Sequence, residues 1–452
     1  MNNLSTTRKI YTLNGLPPEI IAVTFAKCSR SPESFDTIAQ ELNEDKSRQF
    51  HEKWVIGYGH SSVAEHAMLS IAIENISVLA TKVLEDNRLA SYTEKSTRYQ
   101  QFDKARYFVP ELSPDLSKVY VDTINYIMNE YTTSIPMLKR FNEKKYPHET
   151  SVKIRNITFD DMRYFLPVSV LTNLGVTINA RSLEYAIAKL LTHPLQEMKD
   201  IGENIKKAVL NIVPTLIKYA DFNEYIDDTN KKLEHLAADA LQFEENNVAN
   251  DVELVDYDSD AEEKIIAALL YRFSNLSYNM IKDKIKNLND LQKQEIIAKS
   301  LEGRTQFDKP SREFEQISYT FDILIDFGAF RDIQRHRMLS QINQNFAPSY
   351  GYNIPQGIIE AGLEKQFMRC MEMAREGYNK ICKKFPQKAS YVLPMAFKKR
   401  VLFKANLREL YHLIELRTTP AAHSSYKKIA QKLHNEISKV HPFLAKFIGN
   451  TK

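Results

Sequence analysis

The chain echoes itself. Arg88-Leu-Ala-Ser91 and Arg337-Met-Leu-Ser340 stand at one offset, since 337 − 88 and 340 − 91 both give 249. Glu19-Ile-Ile-Ala22 with Ser29 is echoed by Lys264-Ile-Ile-Ala267 with Ser274, at an offset of 245. Leu166-Pro167 leading to Asn179-Ala-Arg181-Ser-Leu183 is echoed by Leu393-Pro394 leading to Asn406-Leu-Arg408-Glu-Leu410, both at 227. Four echoes in one order describe a tandem duplication of a unit of roughly 220 residues, far longer than a solenoid repeat. The first copy is read as 1–228 and the second as 229–452. The falling offset puts about 22 extra residues into the first copy, near 111–160. Whatever this chain folds into, it specifies twice.

Composition narrows the class. With 452 residues, 43% hydrophobic and 26% charged, the chain can bury large cores as an ordinary globular protein. A net charge of +4 is small for this length and argues against a general nucleic-acid coat. No run of 18 apolar residues occurs, so no membrane span is expected. Residues 1–15 lack the apolar core of a secretion signal. Cys28, Cys370 and Cys382 are few, odd in number and unpaired in spacing, which fits a reducing cytoplasm. The 12 glycines form no phosphate-binding loop of the Walker or dinucleotide type. A phosphate site must then be built from side chains.

The pattern along the chain mixes helices and strands. Helices are expected over 18–26, 34–57, 77–87, 112–141, 180–191 and 195–210, the last two broken at Pro194. Residues 67–73 form a short apolar run of strand length. The acidic stretch 225–250 reads as a solvated helix face and linker between the copies. In the second copy, 252–257 and 317–325 alternate as strands. Asp260 is expected to cap a helix over 261–273, and further helices are expected over 362–385, 405–417 and 421–440. Met368, Met371 and Met373 read as core and rim, and Lys398-Lys399-Arg400 as a solvated turn. Strand and helix signals without glycine-rich crossover turns imply an α+β fold, helices packed on an antiparallel sheet.

The chemistry concentrates in arginines. Arg335-His336-Arg337 sits in apolar sequence, where three bases are costly to bury unpaired and well suited to phosphate. Its counterpart in the first copy is Asp86-Asn87-Arg88, followed by Ser91, Glu94, Ser96-Thr97-Arg98 and Tyr99. Together with His60-Ser-Ser62-Val-Ala-Glu65-His66 and the two Asn-x-Arg-x-Leu segments, these motifs make each copy resemble the flavin-dependent thymidylate synthases. That family carries Arg-His-Arg-x-x-Ser-x-Asn-Glu-x-Ser-x-Arg-Tyr and works as a homotetramer with sites built from several subunits. The resemblance implies two tandem copies of that family's fold. It also implies flavin-dependent methylation of dUMP to dTMP, with FAD as cofactor and methylenetetrahydrofolate and NADPH as co-substrates.

Carried over residue by residue, the resemblance divides the site between the copies. Glu94, Ser96, Thr97, Arg98 and Arg163 match the nucleotide-binding positions, while the second copy has Gln341 to Pro348 for the loop and Ser390 for Arg163. Arg335, His336, Arg337, Asn406 and His412 match flavin-contacting positions. Arg417 matches a residue that contacts both the flavin and the nucleotide, where the first copy has Leu190. His60 and Ser62 match flavin-side positions kept only in the first copy, Pro310 and Arg312 standing in the second. Arg417 is the candidate for polarising the uracil and Ser96 for positioning the ligand. Two chains would then pair into a pseudo-tetramer with fewer sites than an ordinary tetramer.

Plainer readings stand beside these. His60 and His66 also read as structural histidines and lack a third metal ligand; Asn406 reads equally as a helix N-cap. Two other functions stay open. One is a related flavoenzyme acting on another pyrimidine or folate. The other is a non-catalytic descendant that binds nucleotide or RNA.

Overall fold

The computed structural model describes residues 8–42, 44–50, 61–241, 250–419 and 423–449. His60 and the end of the helix expected over 34–57 lie outside them. The described chain forms two compact units that cut across the sequence copies. One gathers Met1–Ile76, Val83–Lys95 and Thr172–Phe243; the other gathers Ser77–Lys82, Ser96–Leu171 and Glu244–Lys452. Residues 77–82 and 96–171 of the first copy thus fold with residues 244–452 of the second.

The first unit is built on strands β1 (Met68–Ser77), β2 (Ala90–Glu94) and β3 (Leu171–Asn179), in the order β1-β3-β2. β2 runs antiparallel to β3, with Ala90 opposite Ile178 and Glu94 opposite Leu174. The helix expected over 34–57 is broken: Phe35–Glu41 ends at Leu42, whose backbone is extended, and Glu44–Phe50 follows. Ala180–Thr192 and Gln196–Val209 form the expected helices. Glu224–Ala240 buries none of its residues, which fits its polar sequence.

The second unit carries the larger sheet. Strands β4 (Val252–Tyr257), β5 (Ser318–Asp326), β6 (Ser340–Asn343) and β7 (Lys398–Asn406) lie in the order β4-β5-β7-β6, all neighbours antiparallel. Alternation decides which face is buried. Tyr319, Phe321, Ile323 and Ile325 of β5 turn inward, as do Val401, Phe403 and Ala405 of β7. Phe321 stands opposite Phe403 with ring centroids 5.4 Å apart. Helices Ala261–Tyr271, Leu407–Arg417 and Ser424–Val440 pack into this core, as do Ile281, Ile297, Phe314 and Phe330.

Two sequence expectations are corrected here. Lys398-Lys399-Arg400 is no solvated turn but the start of the inner strand β7. Its charges are absorbed locally: Lys398 pairs with Asp251 at 3.2 Å and Arg400 with Asp322 at 3.2 Å. The Lys399 ammonium lies 4.0 Å from the centre of the Phe330 ring, a cation–π contact at a buried position. Asp260 does stand at the N-cap of Ala261–Tyr271, yet its side chain makes no cap hydrogen bond. It binds Lys264 at 2.9 Å and Lys282 at 3.3 Å instead.

The duplicated Leu-Pro segments meet inside this unit. Pro167 and Pro394 form an isolated antiparallel bridge. The Val168 amide donates to the Leu393 carbonyl and the Met395 amide to the Leu166 carbonyl, both at 2.9 Å. The two bonds exchange under the 227-residue offset, so this contact is a local two-fold between the copies. Beside it, Gly377 of helix Glu364–Cys382 faces helix Pro114–Lys145, where a Cβ would stand 3.0 Å from Thr123 Oγ1. We expect Phe403→Ala, at a fully buried position of the inner strand, to cost about 3–5 kcal/mol. A lowered midpoint in denaturant unfolding would show it, and an unchanged midpoint would contradict this packing.

Candidate functional site

The site grows from a three-residue loop. Ser96 Oγ accepts the Arg98 amide at 3.1 Å, which curls the loop after β2. The hydroxyl expected to position a ligand therefore also shapes its own loop. Thr97 is buried, and its Oγ1 accepts from Arg331 Nη1 at 3.1 Å. Arg98 lays its planar fork on Asp160: Nε faces one carboxylate oxygen and Nη2 donates to the other at 2.7 Å. This bidentate geometry fixes the guanidinium and leaves Nη1 outside the pair.

Arg163 is the most unusual group in the cluster. It is 2% exposed, and its Nε and Nη2 make no hydrogen bond. Its Nη1 lies 3.7 Å from Asp332, and its guanidinium stacks 5.3 Å over the Tyr164 ring. Buried donors without acceptors are costly and rare in folded proteins. Asp332 also faces Arg417 at 3.8 Å. Burial alone would raise the Asp332 pKa. Arg163, Arg417, Arg335 and Arg331 outweigh it and hold the carboxyl below its ordinary 3.8.

The Arg-His-Arg triplet ends helix Phe327–Gln334 and alternates outward, inward, outward. Arg335 and Arg337 are exposed; His336 is buried. His336 Nδ1 lies 2.8 Å from Glu409 Oε1, and its Nε2 accepts from Arg417 Nε at 3.1 Å. Arg417 Nη2 donates to the Asp332 carbonyl at 2.6 Å, and its guanidinium lies 5.3 Å over Tyr426. His412 is half-buried, its ring 5.4 Å from that of His336. Asn406 is the N-cap of Leu407–Arg417, accepting the Glu409 amide at 2.8 Å. His423, beside Tyr164 and Tyr426, is held well below the ordinary histidine pKa by burial and then by Arg163 and Arg98.

Thr97, Arg98 and Arg163 of the first copy thus share one polar network with Arg331, Asp332, His336 and Arg417 of the second. The equivalent place made with the copies exchanged is closed. Phe346, at the position of Thr97, is buried with its ring 4.7 Å from Phe327. Ser390, at the position of Arg163, donates to the Phe346 carbonyl at 2.6 Å. An apolar ring and one spent hydroxyl offer nothing to an anion.

The remaining candidates belong to the first unit. Ser62 lies in the 3-10 helix Ser61–His66 and lines a cavity of about 370 Å³ with Phe25, Arg30, Glu65 and His66. Glu65 pairs with Arg181 at 2.5 Å. Glu94 is buried at the end of β2. The sequence reading missed Asp160, Arg331, Asp332, Glu409, His423 and Tyr426.

A family profile described as "Thymidylate synthase complementing protein" matches the chain over residues 12–215 and again over 253–443. The chain belongs to that family. Its α+β architecture is two tandem copies of the family fold. A UPF0159 protein of Chlamydia pneumoniae is 32% identical over 487 aligned positions, covering 98% of this chain and 91% of its own. A UPF0159 protein of Thermoplasma acidophilum is 29% identical, covering 90% and 89%. A flavin-dependent thymidylate synthase of Clostridium tetani is 27% identical over 219 positions, 46% of this chain and 84% of its own. Among solved structures, a UMP/dUMP methylase PolB from Streptomyces cacaoi bound with 5-Br dUMP shares 18% identity over 43% of this chain and 93% of its own, with a TM-score of 0.35.

Because Asp332 titrates below its ordinary value when folded, its stabilisation is present above about pH 4. It is lost as pH falls through the depressed folded pKa. Asp332→Asn should therefore cost about 3–5 kcal/mol at pH 7 and flatten the acid limb of stability below pH 4. Denaturant unfolding at a series of pH values checks both; parallel acid limbs would contradict the assignment.

Proposed function

We propose that this member of the family methylates deoxyuridine monophosphate, using FAD, methylenetetrahydrofolate and a nicotinamide reductant, at a site composed from both copies. The observation that carries the reading is Arg163, a buried guanidinium with two nitrogens lacking acceptors. A nucleotide phosphate supplies the planar, charge-assisted acceptor that these donors lack. Thr97 and Arg98 border the same place, and Arg417 stands across Asp332 from Arg163. The flavin-dependent thymidylate synthase relatives support the choice of nucleotide.

The donor set also fits FAD. Arg335 and Arg337 at a helix end carry forks of a kind suited to a diphosphate, with His412 and Asn406 as further candidates in the same unit. When bound, reduced flavin supplies the reducing equivalents that convert the transferred one-carbon unit to a methyl group. The chain's own residues do the rest. Arg98 and Arg163 hold the phosphate, Ser96 and Thr97 shape its loop, and Arg417 orients the uracil and stabilises charge developing on its carbonyl oxygens. The closed counterpart at Phe346 and Ser390 leaves one nucleotide site per chain, and a pair of chains would carry two.

The test is a visible-spectrum titration of the FAD-loaded protein with deoxyuridine monophosphate, followed by a turnover assay. We expect a flavin spectrum that shifts with the nucleotide, saturation at about one nucleotide per chain, and dTMP formation. Arg163→Met should weaken nucleotide binding about 10- to 100-fold, because a charged hydrogen bond is lost. A protein that binds no flavin would turn the reading toward a non-catalytic nucleotide-binding descendant. Flavin binding without dTMP formation would point to another pyrimidine or folate.

A further inference from the structure

We infer that Glu409 and His336 form a buried positioning relay that fixes the direction of Arg417, and that His336 acts through Arg417 rather than on a bound ligand. The assignment of the ring follows from its two contacts. Arg417 can only donate, so His336 Nε2 must accept from it at 3.1 Å. Nδ1 then carries the proton and donates to Glu409 Oε1 at 2.8 Å. Both ring nitrogens are engaged with protein, and the side chain is 3% exposed. Glu409 is held in turn by the turn it sits on, its amide capped by Asn406 at 2.8 Å. On the far side, Arg417 is fixed by the Asp332 carbonyl and by Tyr426.

The chain contains its own comparison. Under the two offsets, His336 corresponds to Asn87, Glu409 to Ser182 and Arg417 to Leu190. All three members are replaced in the copy that has no counterpart of Arg417. Asn87 turns back to the Leu84 carbonyl at 2.8 Å, and it lines a small, largely apolar cavity with Leu190. A histidine and a glutamate that served only packing would have no reason to depart with the arginine. A relay that exists to aim the arginine would.

That Arg417 acts on a uracil nucleotide rests on the proposed function; the relay does not. The experiment separates the two. Glu409→Gln keeps the volume but presents an amide, which allows the imidazole to move its proton to Nε2 and face Arg417 donor to donor. The tautomer is read by nitrogen-15 NMR of histidine-labelled protein, nucleotide affinity by titration with deoxyuridine monophosphate, and folding by thermal melting. We expect an Nδ1–H ring in the parent protein and an altered tautomer in Glu409→Gln. Affinity should fall about 10- to 100-fold in that variant while the fold persists.

A folded Glu409→Gln with parental affinity overturns the relay. If the parent protein binds no deoxyuridine monophosphate, the functional reading fails. The relay is then decided by the tautomer: Nδ1–H supports it, and Nε2–H or a doubly protonated ring overturns it. Should Glu409→Gln not fold, His336→Gln, which keeps an acceptor for Arg417, is compared with His336→Leu. Binding retained within a few fold by the first and lost by the second supports the relay; equal loss in both overturns it.

Discussion

The reciprocal pairing of Leu166-Pro167 with Leu393-Pro394 is the contact on which the site depends. Two backbone hydrogen bonds of 2.9 Å lock the copies together at one point. Arg163 lies three residues before Leu166, on the 3-10 turn Arg163–Phe165. Met395, just after Pro394, offers its sulfur to Arg331 Nη1 at 3.5 Å. One contact therefore sets where an arginine of each copy stands. Backbone pairing is suited to this, because its geometry is narrower than that of side-chain packing.

Around that point the charges are arranged to hold one another. Asp160 fixes Arg98, while Asp332 faces both Arg163 and Arg417. A carboxylate between the buried Arg163 and the partly exposed Arg417 removes much of their repulsion, and removing it would leave the Arg163 charge buried without that partner. The pairing is incomplete by design of the sequence: Arg163 keeps two nitrogens without acceptors.

The two copies have diverged in opposite directions at equivalent places. Where the first copy has Thr97 and Arg163, the second has Phe346 and Ser390, an aromatic ring and a backbone-bound hydroxyl. Asn87 and Leu190 stand where the other copy has His336 and Arg417, with Asn87 turned back to the Leu84 carbonyl and Leu190 in apolar packing. Ser390 and Leu190, standing where the other copy has Arg163 and Arg417, need no charged partner. The Thr97–Arg331 and Arg163–Asp332 contacts join residues of both copies within one polypeptide, so their association does not depend on concentration.

The sequence by itself determined the duplication, the α+β class and most long elements, because these follow from local periodicity and from capping residues such as Asn179 and Asn406. It misread β7, since three consecutive bases look solvated until Asp251, Asp322 and the Phe330 ring are seen to absorb them. It named Arg98, Arg163, His336 and Arg417 through a resemblance. It could not supply Asp160, Asp332 or Glu409, because a carboxylate becomes a partner only when folding brings it within reach. Coulombic and hydrogen-bonding partners are chosen by distance in space, and more than 160 residues of chain separate Arg163 from Asp332. Only the tertiary structure decided that His336 faces inward between Glu409 and Arg417, while the two arginines beside it face out.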